Sequence, residues 1–388
     1  MFSTRTRWDL EPNPLARLLA QRHAEGARVL DLTETNPTRV GLVAPDGVLA
    51  LLANPAARAY EPSPLGALEA RAAVAADFTR RGVPLAPERV LLTASTSEAY
   101  GFVFKLLCDP GDDVLVPAPG YPLFEFLAGL EGVSARAYPL AHDGEWQLDV
   151  DAVRRSVGPR TRAVVVVSPG NPTGAYLKDD ERRGLEALAA ERGLALVSDE
   201  VFADFALRPA SAARPTLAHD AQALCFTLGG LSKSCGLPQL KLAWTAVTGP
   251  APARDEALSR LEVVSDTYLS VSTPIQLAAA SLLARQDELR APILARLRDN
   301  LARLRAAIPS RSTATLLEPE GGWSAVLRVP STRSDEDLSL RLLRERGVLV
   351  HPGEFYRFPF GAFLVLSLLV SPAVFEEGVE RILEDLVL

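Results

Sequence analysis

The sequence contains little lysine. Of its 41 lysine and arginine residues only four are lysine, at Lys105, Lys178, Lys233 and Lys241, so the other 37 are arginine. Acidic residues number 48, which gives a formal net charge of −7. This balance excludes the broad basic surface that binds nucleic acid or anionic lipid. The small number of lysines also means that each one can be considered individually as a reactive amine.

Cysteine and histidine are also few. The three cysteines, Cys108, Cys225 and Cys235, are odd in number and lack CxxC spacing. This excludes a disulfide framework and favours a reducing compartment. The four histidines lie far apart in sequence, so we expect no metal site.

Residues 1–7 lack the apolar stretch of a signal peptide, and the most apolar segment, Ala362–Val370, is far shorter than the roughly 20 residues that span a bilayer. We therefore expect a cytoplasmic protein with neither membrane nor nucleic acid as partner.

The middle of the chain alternates short apolar runs with longer helical patterns. With 388 residues, 48% of them hydrophobic, the chain is long enough for a large core and is not disordered. Continuous apolar runs are typical of strands covered on both faces, and strand–helix alternation predicts a mostly parallel sheet. The predicted strands are Arg89–Thr93, Asp113–Pro117, Ala163–Val167, Leu194–Ser198 and Ala223–Leu228, and the predicted helices between them include Ser97–Leu107 and Asp180–Arg192.

The C-terminal part has a different pattern. A long helical stretch over 253–307 is followed by a mixture of strands and helices from Thr315 to the end, which predicts a separate α+β unit. The proline-punctuated N-terminal segment is expected to join it. The predicted division is a large α/β domain over 46–290 and a small α+β domain made of 1–45 plus 291–388.

Small and polar residues cluster where several predicted strands end. Three of the clusters follow an apolar run, and they are Ser95-Thr96-Ser97, Ser168-Pro169-Gly170-Asn171-Pro172-Thr173-Gly174 and Ser198-Asp199-Glu200. A fourth cluster follows a Gly-Gly step, and it is Leu231-Ser232-Lys233-Ser234. Taken singly, each cluster is compatible with an ordinary turn, a helix cap or a solvated loop. Because ligands of open α/β sheets bind at the carboxyl ends of the strands, the four clusters together predict a binding site there.

In this order and at these intervals, together with Pro119-Gly120-Tyr121-Pro122, the clusters resemble those of the class I/II aminotransferases, which are fold-type I pyridoxal-phosphate enzymes. The resemblance covers nearly the whole chain, from Asp31–Pro37 to the last helix. It implies an α/β fold of the fold-type I PLP-transferase kind, with a large mostly parallel sheet domain and a smaller α+β domain. It also implies pyridoxal 5′-phosphate as the cofactor.

The resemblance assigns a role to each motif residue that would contact the cofactor ring. Lys233 matches the catalytic lysine that binds the cofactor aldehyde and then moves the proton at the substrate Cα. Asp199 matches the carboxylate that pairs with the pyridine nitrogen. Asn171 matches the amide that binds the phenolic oxygen, and Tyr121 matches the aromatic side chain that stacks on the ring.

A second group of residues would hold the phosphate. A helix N-terminus with hydroxyl side chains favours an anion, and a lysine stands eight residues after Lys233 where the family usually has an arginine. Tyr60 matches a tyrosine that reaches the phosphate of the neighbouring subunit, so the resemblance implies a homodimer with a shared active site. The phosphate-binding residues implied in this way are Ser95, Thr96, Ser97, Ser232, Lys241 and Tyr60.

Three positions depart from the family pattern. Phe202 stands where a tyrosine is frequent, and Thr35 stands where a glycine is usual. Val365 occupies the place of the arginine that binds the substrate carboxylate. An unpaired buried charge costs several kcal/mol. Either another arginine, with Arg39 and Arg357 as candidates, takes that role, or the substrate carries no carboxylate at that point.

The resemblance implies a ping-pong aminotransferase whose partners are a small-molecule amino donor and an oxo acceptor. A lyase, a decarboxylase or a racemase on the same scaffold is the alternative, since these reactions differ only in which bond at Cα is broken. A regulatory protein that binds the cofactor without turnover is a further alternative, which the absence of a fused DNA-binding segment disfavours.

Overall fold

The computed structural model describes residues 1–208, 216–308 and 312–386. Within these ranges the strands are β1 (Leu30–Asp31), β2 (Val90–Thr93), β3 (Asp113–Ala118), β4 (Ser134–Asp143), β5 (Glu145–Leu148), β6 (Thr161–Val167), β7 (Ala195–Asp199), β8 (Cys225–Gly230), β9 (Ala243–Thr248), β10 (Thr315–Leu317), β11 (Ser324–Val329), β12 (Val348–Leu349), β13 (His351–Pro352) and β14 (Ala362–Ser367). The α-helices are α1 (Pro14–Ala24), α2 (Leu68–Arg80), α3 (Thr96–Leu107), α4 (Phe124–Leu130), α5 (Val150–Ser156), α6 (Asp179–Arg192), α7 (Leu231–Ser234), α8 (Ala251–Tyr268), α9 (Thr273–Ala284), α10 (Gln286–Ala307), α11 (Asp335–Arg341) and α12 (Pro372–Leu386).

A large sheet of eight strands forms the centre of the molecule, in the order β2-β9-β8-β7-β6-β3-β4-β5. The strands β8, β7, β6, β3 and β4 run parallel to one another. Strand β9 runs antiparallel to both of its neighbours, so β2 points the same way as β8. Helices α3, α4 and α8 cover one face, while α2, α5, α6 and α9 cover the other. The prediction of a mostly parallel sheet covered on both faces is therefore confirmed.

A smaller sheet lies beside the large one. Its antiparallel order is β10-β11-β14-β13, and it packs against α10, α11 and α12 around a core that contains Leu297, Leu364 and Phe375. The N-terminal segment joins this part of the molecule, because β1 pairs in parallel with β12. The mixed α+β character expected for the C-terminal region is confirmed.

The strands missed from the sequence are those with weak apolar patterns. Strand β4 lies near the edge and alternates polar with apolar residues, and the threonines of β9 interrupt its apolar run. The expected stretch over 253–307 is three helices, α8, α9 and α10. The proposed boundary between 290 and 291 falls within α10, and the division into 46–290 and 1–45 plus 291–388 stays a prediction.

The direction of the strands places five loops together. The carboxyl ends of β2, β3, β6, β7 and β8 lie at one edge of the large sheet, since these strands share one direction. The four polar clusters and Tyr121 follow these strands, so the fold brings the motif segments to one place. In the described ranges no helix is long and apolar enough to cross a membrane.

Candidate active site

A cavity of about 190 Å³ lies at this edge of the large sheet. Residues from both sheets and from the N-terminal segment surround it, and they include most of the motif residues singled out from the sequence. The lining residues are Thr35, Thr96, Ser97, Tyr100, Tyr121, Val167, Asn171, Asp199, Val201, Phe202, Lys233, Trp323 and Ser324.

Lys233 projects into the cavity from α7, the short helix that follows β8. Its Nζ lies 4.7 Å from the centre of the Trp323 ring and 5.6 Å from that of Phe202. Burial lowers the pKa of this amine, and the nearby Asp199 carboxylate partly offsets the effect. The surroundings thus favour the neutral amine, which is the form of lysine that acts as a nucleophile.

Asp199 is the last residue of β7 and is 7% exposed. Its Oδ2 accepts a hydrogen bond from the hydroxyl of Tyr100 at 3.0 Å, and its Oδ1 accepts one from the Val201 amide at 3.2 Å. Burial raises the pKa of the carboxyl group to about 6, although both hydrogen bonds and Lys233 act in the opposite direction. The cavity therefore contains a carboxyl group that two hydrogen bonds hold in position and that ionises above about pH 6.

Tyr100 is the residue at this site that sequence reasoning missed. It is 1% exposed and lies on α3, four residues after Thr96, so the two residues are on the same face of the helix. Its ring packs edge-on against Phe124 at 5.6 Å, and Phe124 in turn packs perpendicular to Tyr121 at 5.6 Å. The i,i+4 spacing from the serine and threonine cluster was the signal that could have identified it.

The start of α3 is fixed by side chains. Ser95 is the N-cap, and its Oγ accepts a hydrogen bond from the Glu98 amide at 3.1 Å. Glu98 accepts hydrogen bonds from the Ala94 amide at 2.8 Å and from the Ser270 hydroxyl at 2.6 Å. Thr96 and Ser97, the first two residues of the helix, line the cavity, so the end of the helix dipole that attracts anions lies at the cavity.

Four of the ten predicted site residues do not line the cavity. Ser95 caps α3, and Ser232 lies half-buried beside Lys233. Lys241 is exposed, with a left-handed φ of 55°. Tyr60 is 74% exposed and borders a separate small cleft beside Ser63, Ser270 and Thr273. The structure thus brings together Thr96, Ser97, Tyr121, Asn171, Asp199 and Lys233 and leaves these four outside the cavity wall.

The turn that carries Asn171 contacts the loop before Trp323. The amides of Glu320 and Gly321 both donate to the Gly174 carbonyl, and Glu320 forms an ion pair with Lys178 at 2.6 Å. Gly174 has φ +70°, and a Cβ there would lie 2.6 Å from the Gly321 carbonyl oxygen. These contacts explain why glycine is needed at this turn, because any side chain would displace the loop that positions Trp323.

We expect Gly174→Ala to destabilise the protein by about 2–4 kcal/mol, since it combines left-handed strain with overpacking against residues 319–321. Gly193→Ala is the matched control, because Gly193 has φ +64° but no atom within 4 Å of the added Cβ. It should cost about 1 kcal/mol. Urea-induced unfolding monitored by circular dichroism measures both, and equal shifts would show that the contact with residues 319–321 is unimportant.

Two other chemistries have little support in this region. Burial raises the pKa of the Cys235 thiol to about 12, so it is not a thiolate at neutral pH. No group of three or more His, Cys, Asp or Glu side chains in the described residues is arranged to hold a metal ion.

The mostly parallel sheet, with half-buried Lys233 after β8 and buried Asp199 at the end of the neighbouring β7, has the fold of the solved fold-type I aminotransferases. The family model for aminotransferase class I and II matches residues 29–382, and the chain belongs to that family. Members of this family are pyridoxal-phosphate-dependent, and the chain is an aminotransferase.

Relatives and solved structures agree with this assignment. The alanine aminotransferase of Mycobacterium tuberculosis is 29% identical over 382 residues, which covers 95% of this chain and 88% of that protein. The glutamate-pyruvate aminotransferase of Haemophilus influenzae is 27% identical and covers 89% of this chain and 87% of that protein. The solved alanine aminotransferase of Pyrococcus furiosus superposes with a TM-score of 0.88 at 23% identity, covering 100% of this chain and 99% of that chain.

Proposed function

We propose that this chain transfers an amino group from a small-molecule donor to an oxo acid by a ping-pong reaction on pyridoxal 5′-phosphate held by Lys233. The single observation that carries the proposal is that Lys233, whose pKa is lowered by desolvation, and the buried Asp199 carboxylate line the same cavity. Over both half-reactions the donor's amino group and the acceptor's carbonyl oxygen are exchanged, so no outside oxidant or reductant is needed.

The groups in the cavity fit the cofactor one by one. The Lys233 amine suits an aldehyde, the Asp199 carboxylate a pyridine nitrogen, and the Asn171 amide a phenolic oxygen. Tyr121 offers an aromatic face for stacking. The first amides of α3, with the Thr96 and Ser97 hydroxyls, suit a phosphate. Ser95, Ser232 and Lys241 lie near these groups in sequence and are proposed to add to the phosphate site.

When bound, the cofactor supplies an electron sink for the bond broken at the donor Cα. The protein residues do the rest. Asp199 would hold a proton at the pyridine nitrogen, and Tyr100 and the Val201 amide hold Asp199 in place. The Lys233 amine would hold the cofactor aldehyde, and it is placed to move a proton at the donor Cα as general base and acid. Trp323 and Phe202 border Nζ and limit its movement.

A second copy of the chain is proposed to complete the site, in a cytoplasmic homodimer. Tyr60 is exposed on the single chain although its side chain is large and apolar. Tyr268, the last residue of α8, and the following Leu269 are exposed in the same way. We propose that Tyr60 of one copy reaches the phosphate site of the other. Sedimentation of the purified protein tests whether it is a dimer. The affinity of the Tyr60→Phe variant for the phosphate of the cofactor, compared with that of wild type, tests the role of the Tyr60 hydroxyl.

The attachment residue can be tested directly. The protein is loaded with pyridoxal 5′-phosphate, reduced with borohydride and digested, and the labelled peptide is identified by mass spectrometry. Since the chain has only four lysines, the assignment is unambiguous. We expect the label on Lys233. A label on Lys241, Lys105 or Lys178, or no label, would overturn the proposed role of Lys233.

Tyr100→Phe should shift the pH dependence of cofactor binding. The Asp199 pKa is raised from 3.8 to about 6, so its charge is present above pH 6 and is lost as the pH falls through that value. The Tyr100 hydrogen bond lowers this pKa, and its removal should therefore move the acid limb of cofactor affinity to higher pH. Tyr138→Phe is the control, because the hydroxyl of this equally buried tyrosine donates to the Val165 carbonyl. Equal acid limbs in wild type and Tyr100→Phe would contradict the assigned role.

A further inference from the structure

Ser324 of β11 lies in one wall of the cavity, and the face of the small sheet that carries it extends away from the cavity. In the pairing of β11 with β14, Ser324 lies opposite Ser367, and Val326 lies opposite Val365. Residues two apart on a strand share a face, so all four point to the same side as Ser324, which lines the cavity. Ser367 also donates to the carbonyl oxygen of Glu34, the neighbour of the lining residue Thr35.

This wall continues into an apolar cluster. Val365 is 2% exposed and packs with Val326, Trp146, Tyr356 and Phe363. The Tyr356 carbonyl accepts a hydrogen bond from the Gly120 amide at 2.9 Å, directly before the lining residue Tyr121. The cluster therefore packs behind the lining residues on the Thr35 and Tyr121 side, and Val365 is not itself among the residues that line the cavity.

Positive charge on this side is already neutralised or is absent from the cavity wall. Among the described lining residues Lys233 is the one cationic side chain, and the proposed function assigns it to the cofactor. Arg39 is 75% exposed in its side chain and pairs with Glu34 at 3.4 Å, while Arg357 is paired with Glu125. His351, which lies opposite Val365 on β13, has its pKa lowered by burial and is neutral at physiological pH.

A carboxylate placed beside Ser324 would meet no cationic side chain other than Lys233 among the described lining residues, and an unpaired buried charge is strongly unfavourable. We propose that the amino donor is a neutral primary amine or amino alcohol with an apolar substituent, recognised by apolar contact and hydroxyl groups and not by an ion-paired α-carboxylate. The inference rests on the proposed function and names the substrate class of the same site. Such a donor leaves as an aldehyde or ketone, with its amino group retained on the cofactor.

Donor pairs that differ only in the carboxylate test this inference. L-alanine is compared with L-alaninol and isopropylamine, L-leucine with L-leucinol, and L-phenylalanine with L-phenylalaninol and 2-phenylethylamine. The rate of loss of the visible absorbance of the lysine-bound cofactor is measured against donor concentration. We expect the neutral partner of at least one pair to react as fast as the amino acid or faster. An amino acid more than tenfold faster in every pair would overturn the inference, and transamination would still stand.

Variants of Val365 provide a second, independent readout. Val365→Arg places a guanidinium on the apolar wall and should raise the rate ratio of amino acid to neutral donor at least tenfold, while the matched control Val365→Leu should leave that ratio within threefold. An unchanged ratio in folded Val365→Arg would contradict the assignment of this wall to the donor. If Val365→Arg does not fold, the wild-type ratios decide the question. Failure of the proposed function looks different: the cofactor loads on Lys233, and the reacting donors release ammonia while the absorbance persists.

Discussion

Replacement of Lys233 by alanine is expected to remove the visible absorption of the lysine-bound cofactor and to lower amino transfer by about 10³-fold or more. Two functions are lost together, since the same amine attaches the cofactor and carries the proton at the donor Cα. Proton transfer by a positioned side chain alone contributes about 10²–10⁴-fold. The absorption spectrum of the reconstituted variant and its steady-state rate measure the two losses separately.

Lys105→Ala is the matched control for this result. Lys105 lies on the surface of α3 and forms an ion pair with Glu131, away from the cavity. Surface ion pairs of this kind contribute about 0–1 kcal/mol, so absorption and rate should stay within about twofold of wild type. A Lys233→Ala protein with an unchanged spectrum would refute the proposed attachment.

Replacement of Asp199 by asparagine should lower kcat/KM by about 10²–10⁴-fold, although the shape of the side chain changes little. The substitution keeps the size of the side chain and removes its charge, so the protonated pyridine nitrogen loses a buried partner. Loss of one partner of a buried ion pair costs about 3–5 kcal/mol. The two donors bind different oxygens of Asp199, and an amide has only one oxygen. In either orientation of the asparagine, one of the Tyr100 and Val201 donors therefore loses its acceptor, which adds to the loss. Cofactor affinity and single-turnover rate measure the effect.

Glu200→Gln is the control that separates the effect of losing the Asp199 charge from the effect of disturbing the loop that follows β7. Glu200 is 7% exposed and accepts hydrogen bonds from Ser198, Thr216 and the Leu217 amide, but it does not line the cavity. We expect this variant to lose stability and to keep its affinity for the cofactor. Equal losses of cofactor affinity in Asp199→Asn and Glu200→Gln would contradict the specific role of Asp199.

Much of this site could be predicted because parallel strands place their carboxyl ends together. Asp199, Asn171 and Lys233 lie far apart in the chain, yet each lies at or shortly after the end of a strand, and strand direction alone brings them to one edge. The strands themselves were recognisable as continuous apolar runs between turn residues. Antiparallel β9 was missed because its alanine and threonine residues give no such run.

Other parts of the site depend on contacts that sequence spacing does not reveal. The partner of Asp199 is a tyrosine 99 positions earlier, and its hydroxyl reaches the carboxylate only because α3 packs beside β7. Trp323 reaches Lys233 because the 319–321 loop is held by Gly174. Tyr60 and Lys241 lie outside the cavity wall of the single chain, and their roles stay predictions.

The stoichiometry of one half-reaction tests the central claim most directly. The cofactor-loaded protein is mixed with a reacting donor in the absence of any acceptor, and the carbonyl product, ammonia and aminated cofactor are quantified. Aminotransfer predicts one carbonyl product and one aminated cofactor per active site, with no ammonia. Repeated release of ammonia or carbon dioxide with the cofactor left in its original form would contradict the account and indicate a lyase or a decarboxylase.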